Sequence, residues 1–306
     1  MESKQLFILG APRSGTTFLA SILADTSFGS PIETHFITKY FKKLERYGEL
    51  CERSNFKKLI KDILAERPIQ QWKLALDIDQ FFDDLSPDYS YATIVHALMT
   101  RFRLADPDAS WGDKTPHYLG DVEILLELFP NARFIYIVRD GRDVALSLLK
   151  KPWGPNNVVS CAEYWKILNS KELELSEIAK KSNLFSLTYE ELLNNPTELI
   201  REIYQYLGEE LPKSRIIKVQ KNTKIGNKEK WRTELTIDQI RQFEAIAGNK
   251  LMELGYPVLT SSPKISLMER FYFKTHEFIS KNIFLFHTNV IDGILIKLGK
   301  KEPFSD

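Results

Sequence analysis

Gln5-Leu6-Phe7-Ile8-Leu9-Gly10-Ala11-Pro12-Arg13-Ser14-Gly15-Thr16-Thr17 opens with an apolar run, stops at Gly10 and crosses a short polar segment. Residues 5–10 read as a buried strand. From Gly15 onward Phe18, Leu19, Ile22 and Leu23 recur at helical spacing. The chain therefore opens as strand, Gly-bounded loop and helix. Backbone N–H groups at a helix start have no intrahelical partner, and the helix dipole is positive there, so such a loop suits a phosphate. The Gly-x4-Gly spacing matches a Walker A loop, but Thr16 stands where that motif has Lys. Arg13 brings the positive charge from inside the loop, and Thr16 and Thr17 offer hydroxyls.

Working outward, Arg133–Val138 repeats the pattern: an apolar strand, then Arg139-Asp140-Gly141, then a helix through Leu149. Asp121–Phe129 reads as a helix broken by Pro130-Asn131. Residues 184–188 read as a third strand, with helices near 190–193 and 197–207 behind it. Strands alternating with helices predict an α/β fold, a P-loop-NTPase-like central parallel sheet with helices on both faces. Residues 1–260 form the expected core domain. Within it, 36–110 is a helical, aromatic and charged insertion on the substrate side. Residues 261–306 are expected as a C-terminal helical extension. Between Lys264 and Lys301 it carries seven Lys or Arg against Glu269, Glu277 and Asp292.

The chain has 306 residues and a net charge of +1, from 42 Lys and Arg against 41 Asp and Glu. That balance removes the electrostatic case for a nucleic-acid binder, though it allows a local basic pocket. Two cysteines, Cys51 and Cys161, exclude a disulfide framework and point to a reducing compartment. The first apolar run is too short for a secretory signal, and no stretch reaches the ~20 apolar residues of a membrane span. A cytoplasmic protein is expected.

Val138-Arg139-Asp140-Gly141-Arg142-Asp143-Val144-Ala145-Leu146-Ser147 supplies a second candidate anion site. Arg139 ends a strand, and Ser147 lies two turns into the next helix. A guanidinium fork and a hydroxyl converging on one place suit a terminal phosphate. The plainer alternative is a helix start with Asp140 as cap and Arg139 in an ion pair.

Together these segments resemble the sulfotransferases that use 3′-phosphoadenosine 5′-phosphosulfate (PAPS). Pro12-Arg13-Ser14-Gly15-Thr16-Thr17 is similar to the family's 5′-phosphosulfate loop, with Arg13 pointing to the tyrosylprotein and bacterial branches. Arg139 and Ser147 resemble its 3′-phosphate pair. Trp111-Gly112-Asp113-Lys114-Thr115-Pro116 resembles its Lys-Thr segment, which implies that Lys114 sits beside the transferring sulfuryl group. Tyr189, in Thr188-Tyr189-Glu190-Glu191-Leu192, looks like its nucleotide-contacting Tyr. Trp165 and Asn169 look like its Trp-x-x-x-Asn. Lys224-Ile225-Gly226 with Lys230-Trp231-Arg232 resembles the late loop that closes over the 3′-phosphate and adenine.

The resemblance implies in-line sulfuryl transfer to a hydroxyl acceptor: a carbohydrate, a phenol or tyrosine, or a lipid. Arg13 and Lys114 are the cations expected to meet the charge growing on the leaving bisphosphate. No metal is demanded, because cations and N–H groups can do what Mg²⁺ does in kinases. Glu33, in Pro31-Ile32-Glu33-Thr34-His35, resembles the base of tyrosylprotein sulfotransferases, with burial expected to raise its pKa. His117 is the rival base. The cytosolic enzymes place a His two residues after the lysine, but here Pro116 takes that place. His35 is a third option.

A P-loop kinase or NTPase is the alternative reading; it lacks the Walker Lys and leaves Arg139 and Ser147 unexplained. A glycosyltransferase would use Asp77-Ile78-Asp79 as a metal site, beside acids that read as a solvated surface. A non-catalytic nucleotide-binding adaptor would need neither Lys114 nor Glu33. The apolar residues of the C-terminal extension are expected to pack on their own domain. A partner subunit, as in a homodimer, or an anionic membrane surface is the alternative.

Overall fold

The computed structural model of the chain describes residues 5–102, 109–170, 175, 176, 178, 183–222, 226 and 228–291. They belong to two compact units. The first comprises Met1–Gly10, Gly15–Ile137 and Lys171–Thr223; the second comprises Ala11–Ser14, Val138–Ser170 and Lys224–Asp306.

The first unit is built on four strands: β1 (Gln5–Leu9), β2 (Trp111–Asp113), β3 (Arg133–Val138) and β4 (Leu184–Thr188). Their order is β2-β1-β3-β4. β1 runs parallel to both neighbours, with Phe7 opposite Asp113 on one side and Phe134 on the other. Alternation along the strands sends Leu6, Ile8, Ile135 and Ile137 to one face. There they meet Leu19 and Ile22 of the Thr16–Ile22 helix and Ile200, Ile203 and Leu207 of the Pro196–Leu207 helix. On the other face Phe7 packs among Trp111, Phe129 and Phe134, with ring centroids 5.7, 5.9 and 5.6 Å away. Both faces are covered, which is why these strands read as continuous apolar runs. The α/β class predicted from the sequence is the class observed.

Strand β2 was not anticipated. Gly112 and Asp113 are weak strand formers, and pairing with β1 overrides that weakness. The insertion is helical as expected, with helices Phe36–Phe41, Arg53–Leu64, Arg67–Gln70, Ile78–Asp84 and Tyr91–Phe102. Phe56 clusters with Phe81 and Phe82, and Arg53 lies over the Phe82 ring. The acids beside it are ion-paired rather than merely solvated. Asp77 caps the Ile78–Asp84 helix, Asp79 pairs with Arg53 and Lys57, and Asp84 pairs with Arg101.

The second unit gathers the helices Gly141–Leu148, Val158–Leu168, Ile237–Glu253 and Leu267–Phe286. A Cβ on Gly141 would lie 2.6 Å from both the Phe243 and Trp165 rings, so only glycine admits this close helix contact. Beside it Arg142 is fully buried. Its guanidinium bonds both Asp140 oxygens and Glu244, and stacks 3.6 Å from the Trp231 ring.

The extension departs from expectation. It is helical over Leu267–Phe286, but none of those residues is buried. Phe271 is 74% exposed and Phe278 70%. Polar contacts tie the helix to its unit, Glu269 to Arg241, Arg270 to Glu163 and Glu277 to the Asn156 amide, and Phe273 and Phe284 are half-buried. Residues 292–306 of the extension lie outside the described set.

Candidate active site

In the first unit the segment after Pro31 runs beside β2. Ile32 bridges Asp113 in parallel, and the Lys114 amide donates to the Ile32 carbonyl at 2.7 Å. This pairing places Glu33 and Lys114 side by side. Lys114 is 7% exposed; its ammonium ion-pairs with Glu33 and donates to Thr17 Oγ1 at 3.3 Å. The second Glu33 oxygen meets His35 Nε2 at 3.1 Å, and the His35 and His117 rings lie 6.1 Å apart. The expected cation, both proposed bases and a loop hydroxyl thus come together within one unit.

Burial alone would raise the Glu33 pKa, as anticipated. The hydrogen bonds from His35 and Lys114 more than offset it, and the carboxyl is held down at about 2. Burial lowers His117 below its ordinary value, with the nearby His35 adding to the effect.

The support behind this cluster escaped the sequence reading. Asp113 is buried, and it accepts from the Thr34 amide at 3.3 Å and the Thr115 amide at 2.7 Å. Burial pushes its carboxyl up to about 6 against those bonds. Tyr118 Oη meets Thr34 Oγ1 at 2.7 Å and accepts from the Ile37 amide. These contacts fix Thr34 and hence the direction of its neighbour Glu33. An Asp directly before the expected lysine was the available signal.

The helix Thr16–Ile22 starts after Gly15, whose φ is 96°. A Cβ on Gly15 would sit 2.4 Å from Tyr189 Cδ2. Tyr189 is buried, and it opens a helix whose capping box joins Thr188 and Glu191. Gly15→Ala therefore meets both a left-handed backbone and a blocked Cβ. Its expected cost is about 1–3 kcal/mol of stability, read from chemical unfolding. An unchanged midpoint would contradict this close approach.

In the second unit the other half of the loop takes an unusual path. Arg13 has φ 73°, a left-handed conformation that non-glycine residues rarely hold. Its Nε donates to Ser147 Oγ at 2.8 Å, and Arg139 Nη1 donates to the Arg13 carbonyl at 3.3 Å. Arg13 thus meets two motif residues that lie 126 and 134 positions further along the chain. Pro12 and Ser14 are buried. Ser14 Oγ has no hydrogen-bond partner among the described residues. Trp165, also fully buried, donates to the Arg139 carbonyl at 3.2 Å and so fixes where that side chain starts. Asn169 donates to the Trp165 carbonyl. This pair positions and packs.

Asp143 is a residue the sequence reading missed. Its side chain is fully buried, and it accepts from the amides of Glu229 and Trp231 at 2.8 and 3.0 Å and from Arg139 at 3.4 Å. One carboxylate thereby joins the late segment to the Arg139 helix. Trp231 is fully buried, while Lys230 and Gly226 are exposed. Lys224 lies outside the described residues.

Comparison with known proteins gives the family to which these arrangements belong. A family model described as Sulfotransferase family matches residues 5–213, well over half of the chain. The chain belongs to the sulfotransferase family. Nodulation protein NoeE of Sinorhizobium fredii is 25% identical over 291 residues, covering 82% of this chain and 65% of that protein. Protein-tyrosine sulfotransferase of Drosophila melanogaster is 25% identical over 214 residues, covering 67% of this chain and 38% of that protein. The chain thus spans less than two thirds of the length of either relative. In fold, the sulfotransferase domain from the curacin biosynthetic pathway superposes with a TM-score of 0.56 at 20% identity, covering 85% of this chain and 99% of that one. Among the described residues no helix is long and apolar enough to cross a membrane.

Proposed function

We propose that this chain is an enzyme that moves a sulfuryl group from PAPS to a hydroxyl acceptor without a metal. The observation that carries the reading is Lys114: a nearly buried ammonium held between Thr17 and Glu33. In this reading Pro12 to Thr17 receive the 5′-phosphosulfate. The Ser14 hydroxyl, buried and lacking a partner among the described residues, fits an anion's oxygen, and Gly15 leaves the backbone free of a Cβ. Arg139 and Ser147 take the 3′-phosphate. Tyr189, Lys224, Gly226, Lys230 and Trp231 complete the nucleotide's surroundings.

The acceptor oxygen attacks sulfur as the bond from sulfur to the bridging oxygen breaks. That electron pair stays on the departing bisphosphate, and Lys114 and Arg13 meet the charge. The acceptor proton passes to Glu33. A carboxylate at about 2 is a poor base, but it is low partly because Lys114 bonds it. As Lys114 turns to the donor, that bond weakens and Glu33 becomes more basic. The acceptor is a carbohydrate, phenolic or lipid hydroxyl. Both described cysteines are free, which suits the cytoplasm. The kinase reading loses ground because Thr16 occupies the Walker lysine position.

The test is donor selectivity. Charge-assisted hydrogen bonds are worth roughly 1.5–3 kcal/mol. Arg139→Ala should therefore weaken 3′,5′-adenosine bisphosphate by about tenfold or more while barely changing AMP, as read by calorimetry. Equal losses for both ligands overturn the phosphate assignment, and no transfer from labelled PAPS to any hydroxyl class overturns the reaction.

A further inference from the structure

The helix Leu267–Phe286 presents the largest apolar surface that the described residues leave open. Leu267, Met268, Phe271, Tyr272, Phe278, Ile279, Ile283 and Phe286 are all more than half exposed. At 3.6 residues per turn they share one broad face, along roughly 30 Å of helix. Scattered exposed apolar residues need no explanation, but a contiguous face of this size marks a docking surface.

Charge says what docks. The helix holds two acids, and both turn inward. Glu269 accepts from Arg241 at 2.9 Å, and Glu277 accepts from the Asn156 amide at 3.0 Å. Glu163 meets Arg270 from the neighbouring helix. The exposed charged side chains left on the helix are the bases Lys274 and Lys281, with Arg270 at the inner edge. A second copy docked through the same face would bring bases against bases with no acid between them. An anionic lipid surface complements this pattern: acyl chains for the Phe, Leu, Met and Ile side chains, and phosphate headgroups for the lysines. The helix is not apolar enough to cross a bilayer, so it would lie along one. We infer that Leu267–Phe286 is an interfacial helix that seats the protein on an anionic membrane surface. The inference does not depend on which hydroxyl is sulfated.

The test is co-sedimentation of the full chain with vesicles of phosphatidylcholine alone and with about one third phosphatidylserine or phosphatidylglycerol. The protein should pellet with the anionic vesicles and be released by salt. Lys274→Gln and Lys281→Gln should each weaken binding about fivefold. Phe271→Ser with Phe278→Ser should abolish binding while leaving unfolding midpoint and solution activity unchanged. Equal binding to neutral vesicles, or none to either, overturns the inference. So does a lipid-free dimer that the Phe double variant dissociates, because the face would then belong to a second copy.

Discussion

Lys114→Ala is expected to lower kcat about 10²–10³-fold with every acceptor, the range seen when one preorganised donor to a developing oxyanion is removed. The lysine's target belongs to the donor, so the acceptor's acidity should not matter. Its ammonium is 7% exposed and held beside the loop by Thr17 and Glu33, from where it turns to the donor as the charge grows. Affinity for 3′,5′-adenosine bisphosphate should survive, because Arg139 and Ser147 are untouched. Loss of the lysine also removes a partner of Glu33, so the unfolding midpoint must be measured alongside. Wild-type turnover under conditions where chemistry limits the rate would remove the central element of the mechanism.

Glu33→Gln should behave differently. General-base catalysis is worth ~10²–10⁴-fold, and an alkyl alcohol needs it far more than an acidic phenol. The variant should therefore lose most of its rate with alcohols and much less with phenols. The pH profile separates the two candidate bases. A base works only when unprotonated, so the rate falls as pH drops through its pKa. Glu33 is held at about 2, and His117 is lowered from its ordinary value of 6.5. With Glu33 as base, kcat/KM should show no acid limb near neutrality. With His117 as base, a limb should appear below 6.5 and vanish in His117→Ala. A fully active Glu33→Gln beside a dead His117→Ala would transfer the role to the histidine.

How much of this was legible depended on how local each signal was. β1 and β3 announce themselves because both faces are buried, and Gly10 and Gly141 punctuate them. β2 was invisible because a Trp-Gly-Asp triplet has no periodicity; it becomes a strand only where β1 offers a partner. The motif residues were found by resemblance, but the reason Glu33 meets Lys114 is the Ile32–Asp113 bridge across a long sequence separation. Asp143 stands in a first helical turn, where acids are common. Its task as acceptor for two distant backbone amides depends on where residues 229–231 return, which no local pattern encodes. What covers the extension was not legible, because a segment rich in Phe, Ile and Leu shows that it is apolar without showing its partner.

The buried group around Arg142 bears on how this sequence is free to drift. Arg142 satisfies Asp140 and Glu244, and Glu244 in turn accepts from the amides of Leu259 and Thr260. Removing one member of a buried ion pair typically costs about 3–5 kcal/mol, whereas replacing the whole set by apolar groups is often neutral. Single changes here are closed off while concerted ones stay open. In lineages that lose Arg142, Asp140 and Glu244 should be lost with it. The segment at Leu259 and Thr260, which forms no part of the proposed site, would inherit the change as well.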